Sequence, residues 1–159
     1  ILIPEIPYDI KKVCDKVRRR QAAGRFFSIV VVAEGAFPSG GEQTYIEHQV
    51  HGGLPRLGGA AHDVAGGIAE ITGLETRVTV LGHLLRGGTP SSFDRLLATR
   101  YGSAAIELAS RDQWGRMVAL HGHRIADVPI EDAIGQLKRV DPQGEVLRVA
   151  RAMGIEFGG

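Results

Sequence analysis

Apolar positions along the chain switch repeatedly between a period of two residues and a period near 3.6, so strands and helices alternate. Ile1 to Ile3 reads as a short apolar strand closed by Pro4. Asp9 then offers an N-cap to a helix with Ile10, Val13, Cys14 and Val17 on one stripe. Arg18, Arg19 and Arg20 fall at the negative end of that helix's dipole, and Gly24 supplies a stop. Phe26 to Ala33 is nearly all apolar and rich in β-branched residues. That is the composition of a strand buried on both faces, as in a parallel sheet. Glu34 and Gly35 follow at its carboxyl end, and residues 38–41 read as loop.

The segment from Gln43 to Val50 fits either a short strand or irregular chain, and Gly52-Gly53 and Gly58-Gly59 flank Leu54 to Leu57. A helix is predicted from about Ala60 to Ile71, with Val64, Ile68 and Ile71 on its stripe. Glu75 to Leu81 returns to alternation: Arg77, Thr79 and Leu81 on one face, Val78 and Val80 on the other. This predicted strand ends in a turn carrying His83, Arg86 and Gly87-Gly88. Ser91 with Asp94 matches a capping box for a helix running to Leu108, which Gly102 would break or bend. Arg116 to His121 alternates as a strand, Pro129 opens a helix over Ile130, Ala133, Ile134 and Leu137, and a last helix runs from Glu145 to Met153 with Gly154 as its stop.

Strands alternating with helices of this length predict an α/β fold with mostly parallel sheets flanked by helices. No linker interrupts the pattern, so composition alone reads as one domain. With 159 residues the chain is long enough to bury a core. Nineteen basic against 18 acidic residues, net +1, give no reason to expect nucleic acid or a membrane surface as partner. The single cysteine excludes an internal disulfide and points to a reducing, cytoplasmic setting. The chain opens on Ile1-Leu2-Ile3-Pro4, as if entered within a strand, and is expected to be a piece of a longer protein.

Ligands of open α/β sheets sit at the carboxyl ends of strands. Glu34 and His83 fall there, with Arg86 three residues beyond His83. A carboxylate accepts hydroxyl hydrogens and a guanidinium grips phosphate as a fork, so this set suits a polyhydroxylated, phosphorylated ligand. A surface cluster with ordinary partners is the competing reading. The other candidates have simpler readings. The Arg18 to Arg20 run is a solvated face and dipole partner, and Cys14 belongs to the core stripe. The Gly52 to Gly59 region lacks the spacing of a nucleotide loop. His62 with Asp63, and His121 with His123, each lack a third metal ligand at a useful spacing.

Three stretches resemble one family: Val32-Ala-Glu-Gly35, Arg77-Val-Thr-Val-Leu-Gly-His-Leu-Leu-Arg-Gly-Gly-Thr-Pro90, and Phe93-Asp-Arg-Leu-Leu-Ala-Thr-Arg100. They are similar to the second half of a bacterial-type 6-phosphofructokinase, whose donor is ATP or pyrophosphate. Ile1-Leu-Ile-Pro-Glu5 and Gly154-Ile-Glu-Phe-Gly158 fit the same family, so the likeness runs through essentially the whole chain. The Leu-Gly-His-x-x-Arg-Gly-Gly pattern is the specific part.

The resemblance implies phosphoryl transfer to the 1-hydroxyl of fructose 6-phosphate in glycolysis, within a two-lobe phosphofructokinase fold. Residues 1–90 would belong to the sugar-phosphate lobe, 91–134 would return to the phosphoryl-donor lobe, and 135–159 would return to the sugar-phosphate lobe. The position of Glu34 would bind sugar hydroxyls, those of His83 and Arg86 the sugar phosphate, and that of Arg77 the same phosphate from a neighbouring subunit. The spacing agrees with this last role. Six residues of extended chain hold Arg77 and His83 ~20 Å apart, too far for one small phosphate. A homo-oligomer, dimer or tetramer, follows if both serve one site.

The family's first half has no counterpart in the chain. It carries the glycine-rich donor loop, a Thr-Ile-Asp-Asn-Asp segment with the catalytic base, and a Met-Gly-Arg segment of the sugar site. Mg²⁺ with ATP or pyrophosphate would therefore be held mainly by that missing N-terminal half, and no catalytic base or metal ligand is expected here. This piece alone is expected to be inactive. A non-catalytic sugar-phosphate-binding or interaction fragment of the same fold is the alternative, and a relative acting on another sugar phosphate is a third reading. Glu5 and Arg25 stand where some members bind allosteric nucleotides, but Ala23 replaces a basic position of that site.

Overall fold

A computed structural model describes residues 1–46 and 56–159. These fall into two compact units, Ile1–Val80 with Arg139–Gly159, and Leu81–Lys138. Neither junction is marked by linker composition, which is why the sequence reads as one domain. Among the described residues no helix is long and apolar enough to cross a membrane.

In the first unit, helix α1 spans Ile10–Ala22, with Asp9 accepting a hydrogen bond from the Lys11 N–H at 2.8 Å. Its end is a Schellman motif: Gly24 adopts φ +77°, and the Arg25 N–H reaches the Arg20 carbonyl at 3.0 Å. Two short strands, β1 (Tyr45–Ile46) and β2 (Arg56–Leu57), pair antiparallel. The expected irregular stretch beyond Ile46, and the Gly52-Gly53 pair, lie outside the described residues. Helix α2 spans Ala60–Thr72 and ends at Gly73 in the left-handed region, φ +72°.

The stripes foreseen on α1 and α2 meet in one core of Leu2, Tyr8, Val13, Cys14, Ala36, Val64 and Ile68. The approach is close at Gly67, where a Cβ would stand 2.9 Å from Ile10 Cγ1. Helix α5, Glu145–Ala152, buries Leu147 and stops at Gly154. The chain then docks Phe157 and Gly158 on this core, and the Gly158 carbonyl accepts the Asp9 N–H at 2.7 Å.

The apolar segments do not form the full parallel strands expected. Residues 26–33 pair with residue 2 through a single parallel bridge, Leu2↔Val32, with Leu2 N–H to Val31 O at 2.8 Å and Ala33 N–H to Leu2 O at 2.9 Å. Val30 and Val32 pack on the core, whereas Phe27 and Ile29 are 74% and 80% exposed. Burial on both faces is therefore corrected to burial on one. Residues 75–79 alternate, with Thr76 and Val78 half-buried and Arg77 and Thr79 exposed, but the foreseen pattern stops there: Val80 is 64% exposed, and the segment has no ladder partner among the described residues. A period of two sets which side chains face inward; it cannot supply the neighbouring backbone.

The second unit opens with a 3₁₀ turn at Gly82–Arg86 and continues into helix α3, Ser92–Ser110. The foreseen capping box is present: Asp94 N–H reaches Ser91 Oγ at 3.3 Å, and Ser91 N–H reaches Asp94 Oδ2 at 2.8 Å. The Ser91 hydroxyl also donates to Asp94 Oδ2 at 2.7 Å, and this bond with the one from the Ser91 backbone holds the Asp94 carboxyl below its ordinary pKa. Helix α3 runs unbroken through Gly102, so of the break or bend expected there the break does not occur. Strand β3, Arg116–His121, pairs antiparallel with β4, Arg124–Pro129, and helix α4, Ile130–Ile134, follows. The hairpin turns at Gly122-His123 with φ +61° at Gly122, the Gly-X order of a tight turn. No residue from Leu81 to Lys138 is buried, and Phe93, Leu96 and Ile106 of α3 are exposed.

Candidate functional site

Glu34 stands on a turn at the carboxyl end of the 26–33 segment, and the turn is tied on several sides. Ala36 N–H reaches the Ala33 carbonyl at 2.9 Å, and Ala33 itself is bonded to Leu2. The Gly35 carbonyl accepts from Gln43 Nε2 at 2.9 Å. Ala36 is part of the buried core. The Glu34 side chain is exposed on this fixed base, and its carboxylate, with no hydrogen bond from the described residues, can accept them from a hydroxylated ligand.

His83 and Arg86 are both exposed on the 3₁₀ turn. With three residues per turn, positions i and i+3 eclipse, so the two side chains start from the same side. Leu84 N–H to Leu81 O at 2.9 Å and Gly87 N–H to Leu84 O at 3.3 Å close the turn. The Ser91 capping box fixes the chain shortly after it. The turn thus presents an imidazole and a guanidinium together, a pair suited to a phosphate.

Arg77 lies in the first unit, with a side chain that is 87% exposed. Its Nε and Nη2 donate to Glu75 Oε1 at 3.0 and 2.9 Å. An exposed pair of this kind contributes about 0–1 kcal/mol, too little to hold Arg77 against a phosphate ligand. Glu34 shares this unit, while His83 and Arg86 belong to the other. Sequence reasoning passed over Gln43. Its only signal is that an amide with both a donor and an acceptor lies within reach of the Glu34 turn.

Arg18 donates to the Ile71 carbonyl at 2.6 Å, Arg19 to Glu156 Oε1 at 3.4 Å, and Arg20 to Ser28 Oγ at 3.0 Å. The basic run therefore ties α1 to its neighbours. Asp63 accepts from Thr44 Oγ1 at 2.9 Å, and His62, His121 and His123 are exposed. Among the described residues, no group of three or more His, Cys, Asp or Glu could hold a metal ion. A shallow hollow of about 400 Å³ on α1 is lined by Lys16, Arg19, Arg20, Ala23, Arg25 and Met153, and by none of the four site residues. Glu5 is not a plain surface charge. Its Oε1 accepts the Val140 N–H at 3.1 Å, and its Oε2 is buried without a hydrogen-bond partner among the described residues.

The phosphofructokinase family model matches residues 1–109. The chain belongs to the phosphofructokinase family. Its helices and small sheets are those of an α/β phosphofructokinase chain. Among curated relatives, an ATP-dependent 6-phosphofructokinase of Chloroflexus aggregans is 51% identical over 158 residues, covering 99% of this chain and 43% of the relative. ATP-dependent 6-phosphofructokinase 2 of Clostridium perfringens is 46% identical, with coverage of 99% and 43%. ATP-dependent 6-phosphofructokinase 1 of a Synechocystis species is also 46% identical, with the same coverage. The chain thus spans less than half the length of the curated relatives it matches.

Proposed function

We propose that this chain is the C-terminal, fructose 6-phosphate-binding portion of a 6-phosphofructokinase that forms fructose 1,6-bisphosphate in the cytoplasm. The observation that carries the proposal is a family match joined to His83 and Arg86 three residues apart on one 3₁₀ turn, a spacing at which positions eclipse. Arg86 grips the sugar phosphate as a fork, His83 donates beside it, and Glu34 accepts hydrogen bonds from the sugar hydroxyls. None of these groups moves the reacting proton. Arg77 reaches the phosphate bound by a second copy of the chain, which makes the complete enzyme a homo-oligomer.

Residues 1–90 and 135–159 serve the sugar-phosphate lobe in this reading, and 91–134 serve the donor lobe. The donor is ATP rather than pyrophosphate, supported by the names of the relatives. ATP would arrive with Mg²⁺. Among the described residues no group of three or more His, Cys, Asp or Glu could hold that ion; in this reading its ligands and the catalytic base belong to the remaining part of the family's chain. Catalysis in such an enzyme is positional and electrostatic.

The proposal is tested by Glu34→Ala in the complete enzyme. Loss of hydrogen bonds to a charged acceptor, about 1.5–3 kcal/mol, raises the KM for fructose 6-phosphate roughly 10- to 150-fold. Unchanged KM and kcat would remove Glu34 from the site. A protein that stays monomeric yet needs Arg77 for fructose 6-phosphate would remove the inter-subunit role.

A further inference from the structure

We propose that Gln43 is a positioning residue for Glu34, acting through the carbonyl of Gly35. This inference rests on the reading of Glu34 as the group that binds sugar hydroxyls. Gln43 Nε2 donates to Gly35 O at 2.9 Å, and Gln43 Oε1 accepts from the Tyr45 hydroxyl at 3.2 Å. Both ends of the amide are therefore engaged, which fixes its rotamer. Gly35 is buried, and a Cβ there would stand 3.2 Å from Gln43 Nε2, 3.5 Å from Leu57 Cδ1 and 3.5 Å from Pro4 Cβ. The amide thus packs directly against the peptide that follows Glu34.

The segment carrying Gln43 is itself anchored. The next residue, Thr44, accepts the Gly58 N–H at 3.1 Å through its carbonyl and donates to Asp63 Oδ2 at 2.9 Å through its hydroxyl. Asp63 sits in the first turn of α2. A chain of contacts therefore runs from α2 through Thr44 and Gln43 to the Glu34 turn. Without it, the turn would keep, among the described residues, the Ala36–Ala33 bond, the pairing to Leu2 and the core packing of Ala36. An exposed carboxylate on a loosened turn would sample more orientations and bind hydroxyls less well.

The test is a double-mutant cycle in the complete enzyme with fructose 6-phosphate and ATP. Gln43→Met keeps the length and removes both the donor and the oxygen acceptor; Gln43→Ala serves as a second variant if Met disturbs packing. The expected result is a KM for fructose 6-phosphate raised about fivefold to tenfold, with the KM for ATP unchanged. In a Glu34→Ala background the same change should raise it no further. An equal rise in both KM values, or a full additional rise without Glu34, marks a general structural role and overturns the proposal. If Glu34→Ala raises the KM while neither Gln43 variant does, the proposal fails and the site reading stands. If Glu34→Ala itself changes nothing, both fail together.

Discussion

Gly66 and Gly67 are neighbours in the middle of α2, yet alanine at each should have opposite effects on stability. In a helix interior, glycine costs about 0.5–1 kcal/mol relative to alanine. A Cβ at Gly66 would meet nothing within 4 Å, so Gly66→Ala should recover that amount in full. A Cβ at Gly67 would stand 2.9 Å from Ile10 Cγ1 and 3.2 Å from its Cδ1, closer than carbon atoms pack. Overpacking of this kind costs about 1–3 kcal/mol, which cancels the helical gain and leaves a net loss of up to about 2 kcal/mol. Thermal melts should therefore shift up by roughly 2–8 °C for Gly66→Ala and down for Gly67→Ala. The loss should shrink when Gly67→Ala is combined with Ile10→Val, which removes a methyl from the clashing side chain. Equal stabilisation by both alanines would refute the close contact of α1 with α2. It would also undercut the base of the candidate site, since Val64 of α2 and Ala36 beside Glu34 share one core.

Other consequences are local. Asp112 ends α3 with φ 53°, in a Schellman motif closed by Gln113 N–H to Leu108 O at 3.0 Å. Asp112→Gly should stabilise α3 by about 1 kcal/mol, read as slower hydrogen exchange along the helix; faster exchange would contradict the left-handed cap. Cys14 is 0% exposed, and burial pushes its thiol above the ordinary 9.0, with Arg18 opposing and Asp15 adding to the rise. It should resist alkylation at neutral pH until the first unit unfolds. Because the folded pKa is the higher one, its contribution to stability is complete below pH 9.0 and declines as pH rises from there through the folded value. A fall in stability between pH 6 and 8 that disappears in Cys14→Ala would contradict this.

The parts of the fold legible in the sequence were those written locally. Asp9, Gly24, Ser91, Asp94 and Gly154 mark helix ends through side-chain caps and left-handed turns, and all five occupy those roles. The stripes of α1 and α2 likewise named the core. What escaped the sequence is non-local. Whether residues 26–33 and 75–81 find backbone partners depends on chain elsewhere, and β4 was hidden because its only signal was the short Gly122-His123 turn. The second unit shows the same limit in its packing. Phe93, Leu96 and Ile106 look like core residues in the sequence, but nothing among the described residues covers them. At the candidate site, residue types and spacing pointed to Glu34, His83 and Arg86. Gln43 escaped because a hydrogen bond to a backbone carbonyl leaves no pattern in the chain.

The central claim is that the His83–Arg86 turn binds the phosphate of fructose 6-phosphate. The most direct measurement is a titration of the complete enzyme, wild type and Arg86→Ala, with fructose 6-phosphate at saturating ATP. Loss of a bidentate charged contact should weaken apparent sugar-phosphate affinity roughly 10- to 150-fold and leave the KM for ATP unchanged. Unaltered fructose 6-phosphate affinity, or a change confined to ATP, would contradict the claim.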